Sequence, residues 1–214
     1  MGEVVLVRHG QANSADATTE AEYDRLTELG RQQAAWLGAW FRARGEAFDA
    51  VLCGSLTRHR QTVEAMAVGA PEIDPRLNEM DYFALADAHR AAGGGDVTPD
   101  SFPEHIVEII HAWRDARIQG AETYISFETR VAEALHDAAR EGRRVLCVTS
   151  GGTIGMALRH VLGLDPTRLA RLLVPIRNTS VHRLSVRGGA AMLSEFNGVP
   201  HLLDPERAHA VTLY

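Results

Sequence analysis

Residues 4–10 read VVLVRHG, four aliphatic residues followed at once by arginine, histidine and glycine. A short apolar run rich in β-branched residues predicts a buried strand, here over residues 3–7. Ligands of open α/β sheets bind at the carboxyl ends of the strands. Arg8 and His9 therefore stand where we expect chemistry, and Gly10 gives the chain a flexible exit beside them.

Short β-branched runs alternate with longer helical patterns along the chain, which predicts the α/β class. Further strands are expected over residues 49–53 and 143–149. A hairpin is expected over residues 178–186 and 191–196, which flank two glycines. The expected helices are one that Thr27 caps and Gly45 stops, three over residues 56–66, 103–118 and 151–161, and one that carries Phe127, Val131 and Leu135 and ends at Gly142.

Helical and strand periodicity both fail over residues 75–103, which contain the sequence AAGGG at 91–95. Such a stretch is typical of a mobile loop or lid, and it leads into the helix predicted over residues 103–118. The length of 214 residues suits one hydrophobic core. We expect a single domain, residues 1–214, with a lid or insertion around residues 80–120.

All 22 basic residues of the chain are arginine, and lysine is absent. This excludes the lysine-dependent classes, namely nucleotide-binding loops of the Walker A type, pyridoxal and Schiff-base enzymes, and hydrolases with a serine–lysine pair. Arginine can bind a carboxylate or a phosphate through two parallel hydrogen bonds. The bias therefore suits oxyanion recognition, although a GC-rich genome accounts for it equally well.

The overall charge and the cysteine content restrict the partners and the compartment. With 22 basic and 28 acidic residues, the net charge is −6 and the pI is near 5.9, which argues against a nucleic-acid partner. No apolar run is long enough to span a membrane. Cys53 and Cys147 both lie in predicted strands, so we expect reduced thiols and a cytoplasmic protein. The oligomeric state stays open.

The residues that follow the three main strands converge on one kind of ligand. Arg8 and His9 follow the first strand. Arg58 opens the helix after the second strand, and Gly151 follows the third. A guanidinium at a helix N-terminus favours an anion, and glycines let backbone amides approach it. A phosphate group is the ligand that fits all three strand ends.

Five sequence blocks, in this order, resemble the histidine phosphatase superfamily, which includes the cofactor-dependent phosphoglycerate mutases. They cover residues 6–11, 23–34, 55–62, 76–79 and 122–131. The resemblance implies a three-layer α/β/α sandwich around a mixed, mostly parallel sheet, as in the phosphoglycerate mutases. It also implies a phosphorylated small molecule or a phosphoprotein as the substrate.

The resemblance further implies a two-step phosphatase mechanism that needs no metal and no cofactor. His9 would attack the phosphoryl group and become phosphohistidine, which water then hydrolyses. Arg8 and Arg58 would hold the phosphoryl oxygens. Glu79 would protonate the leaving oxygen, a role that asks for a raised carboxyl pKa. Asp81 is the second choice for that acid.

Four further residues are expected to bind the substrate: Gln11, Ser55, Ser150 and Gly151. Ser150 departs from the superfamily pattern, in which most members carry a second histidine at this place. A serine hydroxyl can donate a hydrogen bond but brings no charge, so transition-state stabilisation should fall by ~1–3 kcal/mol. We expect reduced activity rather than none, and a gain in turnover from Ser150→His.

Three other functions stay open at this point. A mutase of the same superfamily would need cations in the lid, where Arg90 stands alone before Arg114. A serine hydrolase could use the turn at residues 148–152, although the first glycine of the Gly-x-Ser-x-Gly motif is missing. A phosphate-binding protein without catalytic activity would suit the serine at position 150.

A metal site is not expected, because the ten histidines form no His-Glu-x-x-His helix and no Cys-x-x-Cys occurs. Three of the histidines are interpreted as structural: His59, His182 and His201.

Overall fold

The computed structural model describes residues 2–13, 17, 19–95, 98 and 101–213. Residues 96–97 and 99–100 of the expected lid lie outside this part of the chain. The strands are β1 (Gly2–Arg8), β2 (Ala50–Cys53), β3 (Glu72–Ile73), β4 (Arg144–Thr149), β5 (Val181–Arg187) and β6 (Ala190–Gly198).

These strands form one sheet in the order β3-β2-β4-β1-β5-β6. β1, β2, β3 and β4 run parallel to one another, whereas β5 is antiparallel to β1 and β6 is antiparallel to β5. The expected hairpin near the end of the chain is therefore confirmed, and so is the mixed, mostly parallel sheet.

Helices cover both faces of the sheet. They are α1 (Glu20–Tyr23), α2 (Glu28–Ala43), α3 (Thr57–Met66), α4 (Tyr82–Ala91), α5 (Phe102–Arg114), α6 (Tyr124–Ala138), α7 (Gly151–Leu162) and α8 (Pro166–Leu173). Side chains alternate along β1, so that Val4 and Leu6 join the core under α5 to α8. Val5 and Val7 join the core under α2 and α3. This is the expected three-layer α/β/α sandwich.

The helix signals in the sequence mark real boundaries. α2 begins where Thr27 Oγ1 accepts a hydrogen bond from the Gly30 amide at 3.0 Å, and Gly45, with φ at +66°, follows its end. The apolar stripe predicted on a later helix is buried on α6. No described helix combines the length and the apolar character that a membrane span requires.

The register of the parallel strands brings three strand ends to one edge of the sheet. Arg8 pairs with Thr149 across β1 and β4, and Cys53 pairs with Val148 across β2 and β4. The His9 amide donates to the Thr149 carbonyl at 2.9 Å, which continues the pairing one residue beyond β1. The segments that follow β1, β2 and β4 therefore share one site.

The segment over residues 75–103 is more regular than the sequence predicts. It contains a 3₁₀ helix, Pro75–Leu77, and the ten-residue helix α4. Asp81 caps the start of α4, and its carboxylate accepts a hydrogen bond from the Ala84 amide at 3.0 Å. Its buried face is short, consisting of Leu85 and Ala86, so periodicity does not reveal it. The expectation of an irregular loop is wrong for this part of the lid.

Candidate active site

A cavity of about 420 Å³ lies at the sheet edge where β1, β2 and β4 end. Its arginine, histidine and glutamate side chains come from the end of β1 and the residue after it, from the start of α3 and from the loop before α4. These side chains are Arg8, His9, Arg58 and Glu79. The opposite side is largely apolar and comes from α4, α5 and the end of α8. These side chains are Tyr82, Phe83, Phe102, Ile106, Leu173 and Val174.

His9 is a buried, neutral imidazole. Its Nδ1 lies 2.7 Å from the Gly10 carbonyl oxygen. Because a carbonyl only accepts, Nδ1 carries the hydrogen and Nε2 keeps its lone pair. Burial lowers the pKa of His9 well below its usual value, and the charges of Arg58 and Arg8 lower it further. His9 is therefore ready to act as a nucleophile at neutral pH.

Arg8 is held by hydrogen bonds on one side, and on the other side its Nε has no hydrogen-bond partner among the described residues. One terminal nitrogen, Nη1, donates to the carbonyl oxygens of Ile176 at 2.5 Å and Leu213 at 2.6 Å. Its Nε is buried and has no hydrogen-bond partner within the described residues. A Cβ atom on Gly151 would lie 3.7 Å from this Nε. The guanidinium thus keeps a donor on the side of the glycine turn that lines the cavity.

Arg58 lies in the first turn of α3 and is fully buried. Its Nη1 donates to Asp24 Oδ1 at 3.2 Å, and the ring of Tyr23 lies 4.8 Å from the guanidinium carbon. Asp24 also accepts from the backbone amides of Thr57 at 2.8 Å and Arg58 at 3.1 Å. Asp24 and Tyr23 lie in one of the blocks that carry the resemblance, but their contacts with Arg58 are not predictable from the sequence.

Glu79 presents a carboxylate to the cavity. Its Oε2 accepts from the Gly152 amide at 2.8 Å and its Oε1 accepts from the Met80 amide at 2.9 Å. A Cβ atom at position 152 would lie 2.2 Å from Oε1, so a side chain there would displace the carboxylate. Asp81 instead caps α4 and is not part of the described cavity lining. The geometry therefore favours Glu79 as the general acid.

The loop that carries Glu79 is held by side chains of α6 and α7. Arg130 donates to the carbonyl oxygens of Arg76 at 2.8 Å and Asn78 at 2.7 Å, and it pairs with Glu122 at 2.6 Å. Thr153 donates to the Asn78 carbonyl at 2.9 Å. These bonds fix the backbone on which the acid depends.

Ser150 lies beneath the cavity lining and contacts a second histidine. The side chains of Ser150 and His59 are both buried, and Ser150 Oγ lies 2.6 Å from His59 Nε2. The ring centroids of His59 and His9 are 5.8 Å apart. Burial and the charge of Arg58 hold the pKa of His59 well below its usual value. From the sequence, His59 is expected to be structural, and no local pattern indicates its contact with Ser150.

Two predicted substrate-binding residues make hydrogen bonds within the protein. Thr27 Oγ1 donates to Gln11 Oε1 at 2.8 Å. Asn78 Nδ2 donates to Ser55 Oγ at 2.8 Å. Neither Gln11 nor Ser55 belongs to the described lining of the cavity, so their contact with substrate stays a prediction. Gly151 does line it.

Three residues of the expected lid could hold a metal ion. The ligand atoms of His89, His105 and Glu108 lie within 4.8 Å of one another, between α4 and α5. His105 and Glu108 are three residues apart on α5 and so lie on one face. His89 lies on another helix, so no spacing in the sequence indicates this group.

The sequence profile of the histidine phosphatase superfamily (branch 1) matches residues 4–198 of the chain. A 2,3-bisphosphoglycerate-dependent phosphoglycerate mutase from Beijerinckia indica is 26% identical over 196 residues, covering 85% of this chain and 91% of its own. A mutase of the same name from Mesorhizobium japonicum is 31% identical over 184 residues, covering 79% of this chain and 85% of its own.

Solved structures share the fold. A phosphoserine phosphatase mutant from Entamoeba histolytica in complex with phosphoserine has a TM-score of 0.68 at 19% identity, covering 95% of this chain and all of its own (100%). A mycobacterial glucosyl-3-phosphoglycerate phosphatase has a TM-score of 0.64 at 20% identity, covering 92% of this chain and 98% of its own. At these identities the likeness establishes the fold alone.

Proposed function

Because this chain belongs to the histidine phosphatase superfamily, we propose that it hydrolyses phosphomonoesters through a phosphohistidine intermediate on His9. The observation that carries the proposal is the neutral, buried imidazole of His9, which lines the cavity together with the guanidiniums of Arg8 and Arg58. A nucleophile needs its lone pair at neutral pH, and phosphoryl transfer needs the charge on the phosphoryl oxygens to be neutralised. Both needs are met by these three side chains.

In the first step, the Nε2 lone pair of His9 attacks phosphorus in line with the leaving oxygen. The P–O bond breaks, its electron pair leaves with the oxygen, and the protonated carboxyl of Glu79 supplies the proton. In the second step, water attacks the phosphohistidine while the Glu79 carboxylate takes a proton from the water. The P–N bond breaks, its electron pair returns to Nε2, and phosphate leaves.

The apolar side of the cavity supports a phosphatase over a mutase. Within the described lining, the cations are Arg8 and Arg58, and both are committed to the phosphoryl group. A mutase must also bind the carboxylate of a phosphorylated acid, whereas Phe83 and Phe102 offer aromatic surface. A phosphorylated small molecule with an apolar body is therefore the favoured substrate, and a phosphoprotein side chain is the second class.

A mutase remains the second candidate, because the two relatives described above carry that name.

The proposed reaction needs no metal, since Arg8 and Arg58 supply the positive charge.

Cys53 and Cys147 are free and buried, and burial raises the pKa of their thiols to about 11 and about 12. Such thiols suit a reducing compartment, so we place the protein in the cytoplasm.

The test measures phosphate release from an aryl phosphate in the presence of EDTA, together with rapid-quench detection of an acid-labile phosphoenzyme. We expect both signals from the wild-type protein. His9→Ala should lower turnover by about a thousandfold or more, because the nucleophile is lost. His136→Ala, on the exposed side of α6, is the matched control and should keep full activity.

Three results would overturn the proposal. Phosphoryl transfer between phosphoglycerates that outpaces hydrolysis would make the protein a mutase. Phosphate binding without turnover would make it a binding protein. Cleavage of an aryl ester that is lost in Ser150→Ala would make it a serine hydrolase.

A further inference from the structure

We infer that His59 is a positioning residue of the phosphatase site, and that it orients the Ser150 hydroxyl toward a phosphoryl oxygen. The inference rests on the proposed function and gives a functional role to a residue that the sequence indicates only as structural. It starts from the 2.6 Å contact between His59 Nε2 and Ser150 Oγ. A buried contact of this length between a ring nitrogen and a hydroxyl oxygen is a hydrogen bond.

The direction of this hydrogen bond follows from the surroundings of the ring. His59 Nδ1 is buried and has no hydrogen-bond partner among the described residues. If Ser150 donated to Nε2, Nδ1 would carry a buried hydrogen without an acceptor, which is the rarer defect in proteins. Nε2 is therefore the donor and Ser150 Oγ the acceptor. The hydroxyl hydrogen of Ser150 is then free for another acceptor.

The place of Ser150 makes a phosphoryl oxygen that acceptor. Ser150 directly precedes Gly151, which lines the cavity beside Arg8. Its hydroxyl makes no capping bond to α7, although Ser150 is the N-cap residue of that helix. His59 follows Arg58 in α3, so one helical turn supplies a charge for the phosphate and a donor for the serine. The resulting chain runs from His59 Nε2–H to Ser150 O–H to the phosphate.

The ring of His59 is fully buried and packed against its neighbours. Its Nε2 lies 2.6 Å from Ser150 Oγ, and its centroid lies 5.8 Å from that of His9. On its far side, a Cβ atom at Gly54 would lie 2.3 Å from His59 Nδ1. The imidazole is thus enclosed, and a histidine at position 150 would compete with it for the same volume. Histidine at 59 and serine at 150 form a matched pair.

The pair also resembles the start of a serine hydrolase triad, but the geometry argues against that use. A catalytic histidine needs a partner that holds its second nitrogen. Nδ1 of His59 has none within the described residues. Ser150 is also not part of the described cavity lining, whereas His9 is. A nucleophile must reach its substrate, whereas a donor to a bound phosphate needs only its hydrogen at the surface.

A double-mutant cycle tests the inference. We expect His59→Ala and Ser150→Ala each to lower kcat/KM for an aryl phosphate about tenfold, the scale of one hydrogen bond. If His59 acts through the serine, the double variant should be no worse than Ser150→Ala alone. His59→Gln keeps a donor close to the position of Nε2 and should stay within about twofold of the wild type.

The control and the reciprocal variant sharpen the result. His182 is also buried and lies 3.0 Å from a serine hydroxyl, that of Ser180, so His182→Ala should lower the melting temperature and leave kcat/KM unchanged. His59→Ala combined with Ser150→His should recover at least wild-type kcat/KM, because the space for the ring is vacated. Ser150→His alone should not, which reverses the gain in turnover expected from the sequence, because the ring of His59 already lies against position 150.

Several outcomes would overturn the inference. A double variant with about a hundredfold loss, or His59→Gln as impaired as His59→Ala, would mean that His59 only fills space. Ester cleavage that depends on both residues would make Ser150 a nucleophile. If the wild type releases no phosphate, the proposed function fails by itself. The same cycle is then measured as the affinity for inorganic vanadate, where equal affinities in all variants would overturn the role of His59.

Discussion

Glycines shape the active-site residues as directly as the charged side chains do. A Cβ atom at position 152 would lie 2.2 Å from Glu79 Oε1, and one at position 10 would lie 2.3 Å from the Gly30 carbonyl oxygen. Both distances are far shorter than van der Waals contact, so any side chain would displace its neighbour. The sequence shows these glycines, but only the packed structure shows which neighbour requires them.

Gly152→Ala should therefore lower kcat for an aryl phosphate by about tenfold or more. The new methyl group would push Glu79 away from its 2.8 Å bond to the amide of residue 152, at the scale of one charge-assisted hydrogen bond. Steady-state kinetics measure the effect, and KM should change less than kcat. Gly95→Ala is the control, because a Cβ atom there meets nothing within 4 Å. Equal kcat values for the two variants would contradict this placement of the acid.

The sequence predicts the residues whose roles follow from their own chemistry and their place after a strand. Arg8, His9 and Arg58 are of this kind, and the structure brings them into one cavity. His59 and Asp24 are not, because their importance depends on neighbours that lie far away in the sequence. His59 meets Ser150 across 91 residues, and Asp24 meets Arg58 across 34. No local sequence pattern indicates a contact between residues so far apart in the chain.

At the level of secondary-structure elements, the position of the loop that carries Glu79 depends on α6. Arg130 on that helix binds two carbonyl oxygens of the loop and the carboxylate of Glu122. Its planar guanidinium donates hydrogen bonds to several acceptors in fixed directions, which the ammonium group of a lysine could not reproduce.

Arg130→Ala should lower the free energy of unfolding by about 2 kcal/mol, because the partly buried carbonyls and Glu122 lose their donor. It should also lower kcat/KM more than tenfold, since the loop then carries Glu79 less firmly. Urea unfolding and steady-state kinetics measure the two effects. Arg140→Ala, an exposed change near the end of the same helix, should alter neither. A loss of stability without a loss of activity would show that the loop keeps its place without Arg130.

Most elements that the sequence predicts have an apolar pattern or a clear boundary signal. Those that fall within a few residues of the expected bounds are β1, β2, β4, α2, α3, α5, α6 and α7. β3 has two exposed residues, and α4 buries little, so neither leaves a periodic signal. α8 has a boundary signal in the capping residue Asp165 and in Pro166, but it is only eight residues long.

Over the whole molecule, burial of neutral histidines makes stability depend on pH. Burial lowers the pKa of both His182 and His201 to about 3, and it also lowers the pKa of His9 and His59 well below the usual value. In the unfolded chain these groups titrate near pH 6.5. Below that pH the unfolded state binds more protons than the folded state, so stability falls as the solution becomes more acidic.

The contribution of these histidines to the free energy of unfolding should therefore be constant above about pH 7 and decrease below about pH 6.5, with each of them contributing up to ~1.4 kcal/mol per pH unit. Urea unfolding at pH 7, 6 and 5 measures the slope. His201→Gln removes one titrating group and should reduce the slope by about one proton, whereas His136→Gln, at an exposed position, should not. An unchanged slope in His201→Gln would mean that His201 is charged in the folded protein.

The hydrogen bonds from Arg8 to the carbonyl oxygens of Ile176 and Leu213 have a consequence for when the site can form during protein synthesis. The Leu213 carbonyl that Arg8 binds is synthesised 205 residues after the arginine. Until then the nascent chain has a histidine and an arginine side by side without the geometry that joins them. The proposed phosphatase activity should therefore begin only after Leu213 has been synthesised, and a ribosome stalled between the two residues should display an inert chain.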